Sequence, residues 1–242
     1  MRLHLLPALM LAALPLAATA DDAPPQAPPR IYEIPRQLQG DGGFLAGHPD
    51  LDYRLRGAAL DRKQQYASAY KEYRRAAHYG DKPSQARIGE MYWNGEGVAK
   101  DPVQAFLWMA LAAERGQREF SLLKLYYWQQ LDPAQQASAR GLAPDMEAAY
   151  GDKAARRRLG LAMRREQHRT AGGLLGYNAS SGPLSLGNGI DPELYFAEAF
   201  WKPERYLELS DRIFEQHYQG RVEVGDVEQV PAEPAKSPSP GG

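Results

Sequence analysis

The sequence predicts an all-α fold: a short α-solenoid of two-helix repeats, with a small, mostly helical C-terminal appendage carrying one or two short strands. Three observations predict it. The segment AYKEYRRAAHYG, Ala69 to Gly80, is echoed 36 residues later, so that Ala76, Ala77 and Gly80 recur as Ala112, Ala113 and Gly116. A period of that length marks helix pairs that bury their apolar faces only by stacking on neighbours. Two helix starts carry the same device, Asp101–Pro102 with Gln104 and Asp132–Pro133 with Gln135. Each supplies an acceptor at the N-cap, a proline where the missing N–H costs nothing, and a side chain able to bond back. Finally, Gly57 and Gly89 sit at matching places in the first helix of successive repeats. Glycine inside a helix costs about 1 kcal/mol against alanine, so a matched pair predicts close helix contact.

Taken in order, residues 1–20 place Arg2 before an apolar run from Leu5 to Leu16 and end in Ala18, Thr19 and Ala20. That is the pattern of a secretory signal peptide cleaved after Ala20, and the run is well short of the ~20 residues that span a bilayer. The mature chain is expected to begin at Asp21 and to be periplasmic or secreted. Residues 21–47, containing APPQAPP, read as a Pro-rich flexible segment, and 229–242 as a disordered tail of the same character.

The array is placed at 48–169. Its first helices are Leu51 to Leu60 and Ser84 to Tyr92. In the first repeat's second helix, Ala69, Tyr73, Ala76 and Ala77 form one stripe, while Lys71, Glu72, Arg74 and Arg75 face water, as a terminal repeat requires. The helix after Asp101 is apolar nearly all round (Phe106, Leu107, Trp108, Met109, Leu111), which suits an element covered on several sides. From Gly57 to Ala76 is 19 residues and from Gly89 to Ala112 is 23, so the first repeat lacks the four residues of the second repeat's glycine loop. A third, degenerate unit pairs Phe120 to Gln130, with Leu122, Leu125 and Tyr126 on one face, with Pro133 to Tyr150.

The stretch IGEMYWNGEGVAKDPVQAFLWMALAAERG, Ile88 to Gly116, resembles one Sel-1-like repeat, a relative of the tetratricopeptide repeats. The residues that carry the resemblance are Gly89, the G-x-G-V-x-x-D run through Gly95, Gly97 and Asp101, and the helix end at Ala112, Ala113 and Gly116. The match is looser over Leu55 to Gly80 and Phe120 to Gly151, about 100 of the 242 residues in all. The resemblance implies a right-handed superhelix acting as a protein-interaction adaptor of the bacterial envelope. It also implies an alternative: some secreted proteins of this kind are linked to β-lactamase or penicillin-recognising activity, although they form a cysteine-rich subgroup and this chain has no cysteine.

After Gly151, Lys153 to Arg169 holds seven bases and one acid, with Ala155, Leu159, Ala162 and Met163 at helical spacing. Residues 170–190 read as a Gly/Ser-rich loop, with a short strand at Leu184 to Leu186. A C-terminal module at 191–228 combines a helix from Pro203 to Tyr218 with an edge strand at Arg221 to Val224. From Ile190 to Val230 there are ten acids and four bases, a charge of −6 against +6 on the basic helix, so the two segments are expected to face each other. Residues 191–218 are expected to dock on the basic helix and the end of the array, chiefly by burial of apolar side chains, with Trp201, just ahead of Pro203, as the anchor.

Net charge excludes little but points away from nucleic acid: 29 bases against 30 acids, and removal of the leader takes only Arg2, leaving −2. Without cysteine, no disulfide or lipid-modified N-terminal cysteine is possible. Gly95 and Gly97 lack the lysine and serine or threonine of a phosphate-binding loop and read as a tight turn needing positive φ. His48, His78, His168 and His217 are dispersed, so neither a metal nor another cofactor is expected. Glu90 and Glu96 could approach each other, yet no nucleophile elbow or H-E-x-x-H occurs, and no catalytic residue is assigned.

The binding candidates are the aromatic residues Tyr92, Trp93, Tyr127 and Trp128, and Arg157 and Arg164 of the basic helix. The basic helix could hold an acidic polymer or lipid phosphates, but internal pairing with the acidic module is the simpler reading. The expectation is a non-catalytic exported scaffold for another protein, with no nucleic acid and no membrane span. The alternatives are the envelope hydrolase and a peptidoglycan- or carbohydrate-binding module.

Overall fold

Aspartates and glycines set the helix boundaries. The structure is a computed structural model and describes residues 33–175 and 189–218. Asp101 accepts from the backbone N–H groups of Val103 and Gln104, and Asp132 and Gln135 complete the reciprocal capping box. Asp81 does the same for its helix by accepting from Ser84. Gly95 closes its helix in the left-handed region at φ 78°, and Gly116 closes a 3₁₀ turn, Ala113–Arg115, at φ 81°.

The first repeat is a hairpin of α3 (Pro49–Asp61) and α4 (Tyr66–His78), and the second a hairpin of α5 (Lys82–Asn94) and α6 (Pro102–Ala112). The two interior glycines make the contacts expected of them. A Cβ on Gly57 would lie 2.7 Å from the Tyr73 ring, and one on Gly89 would lie 3.1 Å from the Ala105 carbonyl oxygen. Helix α6 is covered on three sides, by α5, by α7 (Arg118–Gln130) and by α8 (Pro133–Tyr150). The third unit departs from a hairpin, since α7 and α8 pack on α6 more than on each other. The α7 face expected to be internal is consequently open: Leu122, Leu125 and Tyr126 are 57%, 51% and 48% exposed.

Several boundaries are corrected. The segment 21–47 is not flexible throughout: α1 (Arg36–Gln39) and α2 (Gly42–Gly47) form within it, and Leu38 and Phe44 are fully buried. The Asp41 carboxylate caps α2 by accepting from Phe44 N at 2.7 Å. The loop expected from 170 begins later, because α9 runs from Asp152 to Leu175. The leader 1–20, the segment to residue 32, the strands at Leu184–Leu186 and Arg221–Val224, and the tail 229–242 lie outside the described residues.

The C-terminal module, α10 (Pro192–Tyr195), α11 (Glu198–Trp201) and α12 (Pro203–Tyr218), docks on α9 and on the N-terminal helices. Docking on the basic helix is as expected, and α12 also touches α7 of the last unit through Phe214 on Phe120 at 4.6 Å, but the contact with the N-terminal helices was not foreseen. One core joins Leu38, Phe44 and Leu51 to Leu159 and Met163 of α9 and to Tyr195, Phe200, Trp201 and Tyr206 of the module. Trp201 does staple the module: its indole N–H donates to the Tyr195 carbonyl, and its ring lies against Gly47, where a Cβ would come within 2.5 Å. Burying several aromatic rings at ~25 cal/mol per Å² outweighs exposed ion pairs worth under ~1 kcal/mol each. The expected pairing of +6 with −6 is accordingly not what joins the two. The ion pairs of the α9 arginines among the described residues, Arg156–Asp152 and Arg169–Glu166, are internal to that helix.

The charged links between parts are made elsewhere. The buried Lys82 ammonium meets Glu114 at 2.7 Å, Asp152 at 3.0 Å and the Leu111 carbonyl at 2.6 Å. Beside it, Arg115 reaches Asp152 at 3.0 Å and Asp211 of α12 at 3.1 Å. Glu90 and Glu96 do come together, but on Arg87, which also holds Asp61 at 2.7 Å and so ties the two repeats.

Candidate ligand-binding cleft

Helix α4 carries two stripes. The alanine stripe packs on α3 and α5, while Tyr70, Lys71, Arg74, Arg75 and His78 follow one another along the neighbouring face. Tyr53 of α3 stands on one side of that face and Tyr150, the last residue of α8, on the other. With Tyr79 these residues line a cleft of about 470 Å³, within the ~300–1,000 Å³ typical of ligand sites.

The cations are ordered by the rings. The Arg74 guanidinium lies 5.8 Å from the Tyr70 ring centroid and donates to the Tyr150 phenol at 2.8 Å. That hydrogen bond holds the Arg74 pKa above its ordinary value. Arg75 lies 5.6 Å from the Tyr53 centroid, with Arg56 at the same distance, and pairs with Glu72 at 2.9 Å. Tyr70 and Tyr92 share a hydrogen bond of 2.7 Å between their phenols, and burial followed by this bond pushes the Tyr70 pKa up. His78 sits edge-on to Tyr79 and Tyr150 at 5.5 and 6.2 Å. Burial, and after it the charge of Arg158, lower its pKa, so the cleft is a poor place to add a further positive charge.

The residues singled out in the sequence are largely placed elsewhere. Tyr92 adjoins the cleft through Tyr70. Trp93 stacks on the buried Tyr127 at 4.4 Å and 10°, which joins α5 to α7. Trp128 packs on Phe106 at 4.9 Å, with Arg140 at 4.9 Å from its ring. These three rings therefore cement helices. Arg157 and Arg164 are exposed on α9. Tyr53, Arg74 and Arg75 were not singled out, and the signal available was Tyr70 with Arg74 one helical turn apart.

The remaining titratable clusters are internal. His48 is buried between two backbone carbonyls, Phe44 at 2.7 Å and Phe200 at 2.6 Å. The neutral ring can donate to only one of them. Burial outweighs the pull of the two carbonyls and lowers its pKa to about 4. Among the described residues no three His, Cys, Asp or Glu side chains are grouped as a metal ion would require, and no helix is long and apolar enough to cross a membrane.

Residues 82–117, from α5 to just past Gly116, match the Sel1 repeat family. A solved structure similar to the chain is that of c5321, a protective antigen present in uropathogenic Escherichia coli strains and displaying an SLR fold. The identity is 22%, the TM-score 0.41, and the match covers 56% of this chain and 27% of that one. This chain thus spans about a quarter of the length of that structure. No curated protein matches.

Proposed function

We propose that this Sel1-like repeat protein is an exported, non-catalytic scaffold that holds a protein partner in the bacterial envelope, with the cleft between α3, α4 and α8 as its docking surface. Sel1 repeats generally mediate contacts between proteins. The observation that carries the reading is the cleft lining, in which guanidinium groups lying over tyrosine rings, from three helices, face a common space. Tyrosine and arginine are the residues most often found at the energetic centres of protein interfaces. Export is supported by Arg2, the apolar run Leu5 to Leu16 and the small residues Ala18 to Ala20.

Crosslinking the tagged mature chain in an envelope extract tests the proposal, with capture of a stoichiometric protein partner expected. Turnover of a fluorogenic β-lactam by the purified chain would favour the hydrolase instead. Fractionation and N-terminal sequencing test export, with Asp21 expected as the first residue. Full-length chain in the membrane pellet would make Leu5 to Leu16 an anchor.

A further inference from the structure

We infer that the α3–α4–α8 cleft takes an acidic peptide: an extended segment of a partner protein carrying carboxylates two residues apart. This inference rests on the scaffold reading above and adds the chemistry of the partner.

The first observation is the sign of the lining. Lys71, Arg74 and Arg75 bring positive charge, the tyrosines bring phenols, and among the described residues no carboxylate lines the cleft, although Glu72 beside it pairs with Arg75. Guanidinium and ammonium groups donate only and carboxylates accept only, so the charged part of the lining matches an anionic ligand, while the phenols, which donate and accept, suit the N–H and C=O groups of a peptide backbone. The second observation is preorganisation. Arg74 is held by the Tyr70 ring and by the Tyr150 phenol, and Arg75 by the Tyr53 ring and by the Glu72 carboxylate at 2.9 Å. A guanidinium lying over a ring keeps N–H groups for a planar acceptor, so Arg74 in particular loses little freedom on binding a carboxylate.

Spacing gives the conformation. Lys71, Arg74, Arg75 and His78 occupy successive turns of one face of α4. At 1.5 Å per residue, the first and last of them are separated by about 10 Å along the axis. An extended peptide covers the same distance in about three residues, at ~3.3 Å each. Carboxylates two positions apart lie on one face of an extended peptide, about 7 Å from each other, and so match cations one helical turn apart, such as Lys71 and Arg75, while the intervening side chains point away from α4.

The test uses the full mature chain and a fluorescein-labelled dodecapeptide, Glu-Pro-Glu-Leu repeated three times, followed by anisotropy. A peptide with lysine for glutamate serves as the control. The glutamate peptide is expected to bind, with affinity falling at least tenfold in Arg74→Glu and severalfold in Lys71→Glu, while Arg165→Glu on α9 leaves it unchanged. Both cleft positions are exposed, so Lys71→Glu carries the test if Arg74→Glu does not fold. Equal binding of the lysine peptide, or equal loss in Arg165→Glu, overturns the inference. So does binding of polygalacturonate or polyphosphate at this cleft without binding of the glutamate peptide. If the envelope partner crosslinks equally to wild type and Arg74→Glu, the acidic-peptide inference fails and the scaffold reading stands. If the peptide binds but no envelope partner is captured, the scaffold reading fails and the chemistry of the cleft stands.

Discussion

Tyr206 donates its phenol proton to the Asp50 carboxylate at 2.8 Å, across 156 residues of chain and inside a site where both side chains are buried. One residue begins the array in α3 and the other belongs to α12, so the bond fixes the C-terminal module against the first repeat. Removing the donor leaves a buried acceptor without its partner, a loss of about 1–3 kcal/mol. Tyr206→Phe is expected to lower unfolding free energy by that amount in urea titration, with an unchanged slope. An unaffected midpoint would mean that the aromatic packing alone holds the module.

The same site sets an acid–base balance. Burial, followed by the charge of Asp81, raises the Asp50 pKa to about 6 from 3.8, while burial lowers that of His48 to about 4 from 6.5. As pH falls from 6 to 4 the folded state takes up a proton on Asp50 before the unfolded chain does, which favours folding. Over the same window the unfolded chain protonates His48 first, which disfavours it. Each effect is worth about 3 kcal/mol at ~1.4 kcal/mol per pH unit, so the two largely cancel. Asp50→Asn removes the first and exposes the second. Its stability should fall by about 2–3 kcal/mol between pH 6.5 and 4.5, more steeply than wild type, in denaturant titrations at each pH.

Gly97 and Gly116 separate two reasons for glycine. Both have positive φ, 71° and 81°. A Cβ at Gly97 would also lie 2.4 Å from the Tyr66 backbone, whereas nothing stands within 4 Å of one at Gly116. Conformational strain alone costs about 1 kcal/mol, and a forced backbone shift adds to it. Gly116→Ala should therefore cost about 1 kcal/mol and Gly97→Ala at least ~3 kcal/mol, measured by thermal and chemical unfolding. Equal losses would show that the loop at Gly97 moves away from α4 without penalty.

Features written locally were legible in the sequence, and those made by distant partners were not. The caps at Asp101 and Asp132 and the close approaches at Gly57 and Gly89 follow from residue type and spacing, because a helix start or a helix crossing leaves its demand on the residue itself. Leu38 and Phe44 gave no such signal. Their proline- and glycine-rich surroundings resemble a tail, and the rings that bury them lie about 150 residues onward. Likewise Arg74 and Arg75 project to the water-facing side of α4 taken alone, and only the placement of Tyr53 and Tyr150 turns that side into a cleft. Trp93 and Tyr127 were legible as a pair of large rings, but not as each other's partners.

His78 gives the cleft a pH dependence. In the free protein its pKa lies below 6.5, first through burial and then through the charge of Arg158, and the other groups around it are Lys71, Arg74, Arg75, Tyr79 and Tyr150. Among the described residues none of these is a carboxylate, so a bound acidic peptide would bring negative charge beside the ring. Such a charge raises the pKa of the bound state above that of the free one, and binding then takes up a proton. Affinity for the glutamate peptide should rise as pH falls from 7.5 to 5.5, by up to ~10-fold per unit for a single group, while the peptide carboxylates, near 4.3, stay ionised. His78→Gln should flatten the profile without abolishing binding, because the arginines remain. Anisotropy titrations at four pH values decide it: a wild-type profile already flat, or one that keeps its slope in His78→Gln, would place the titrating group outside the cleft.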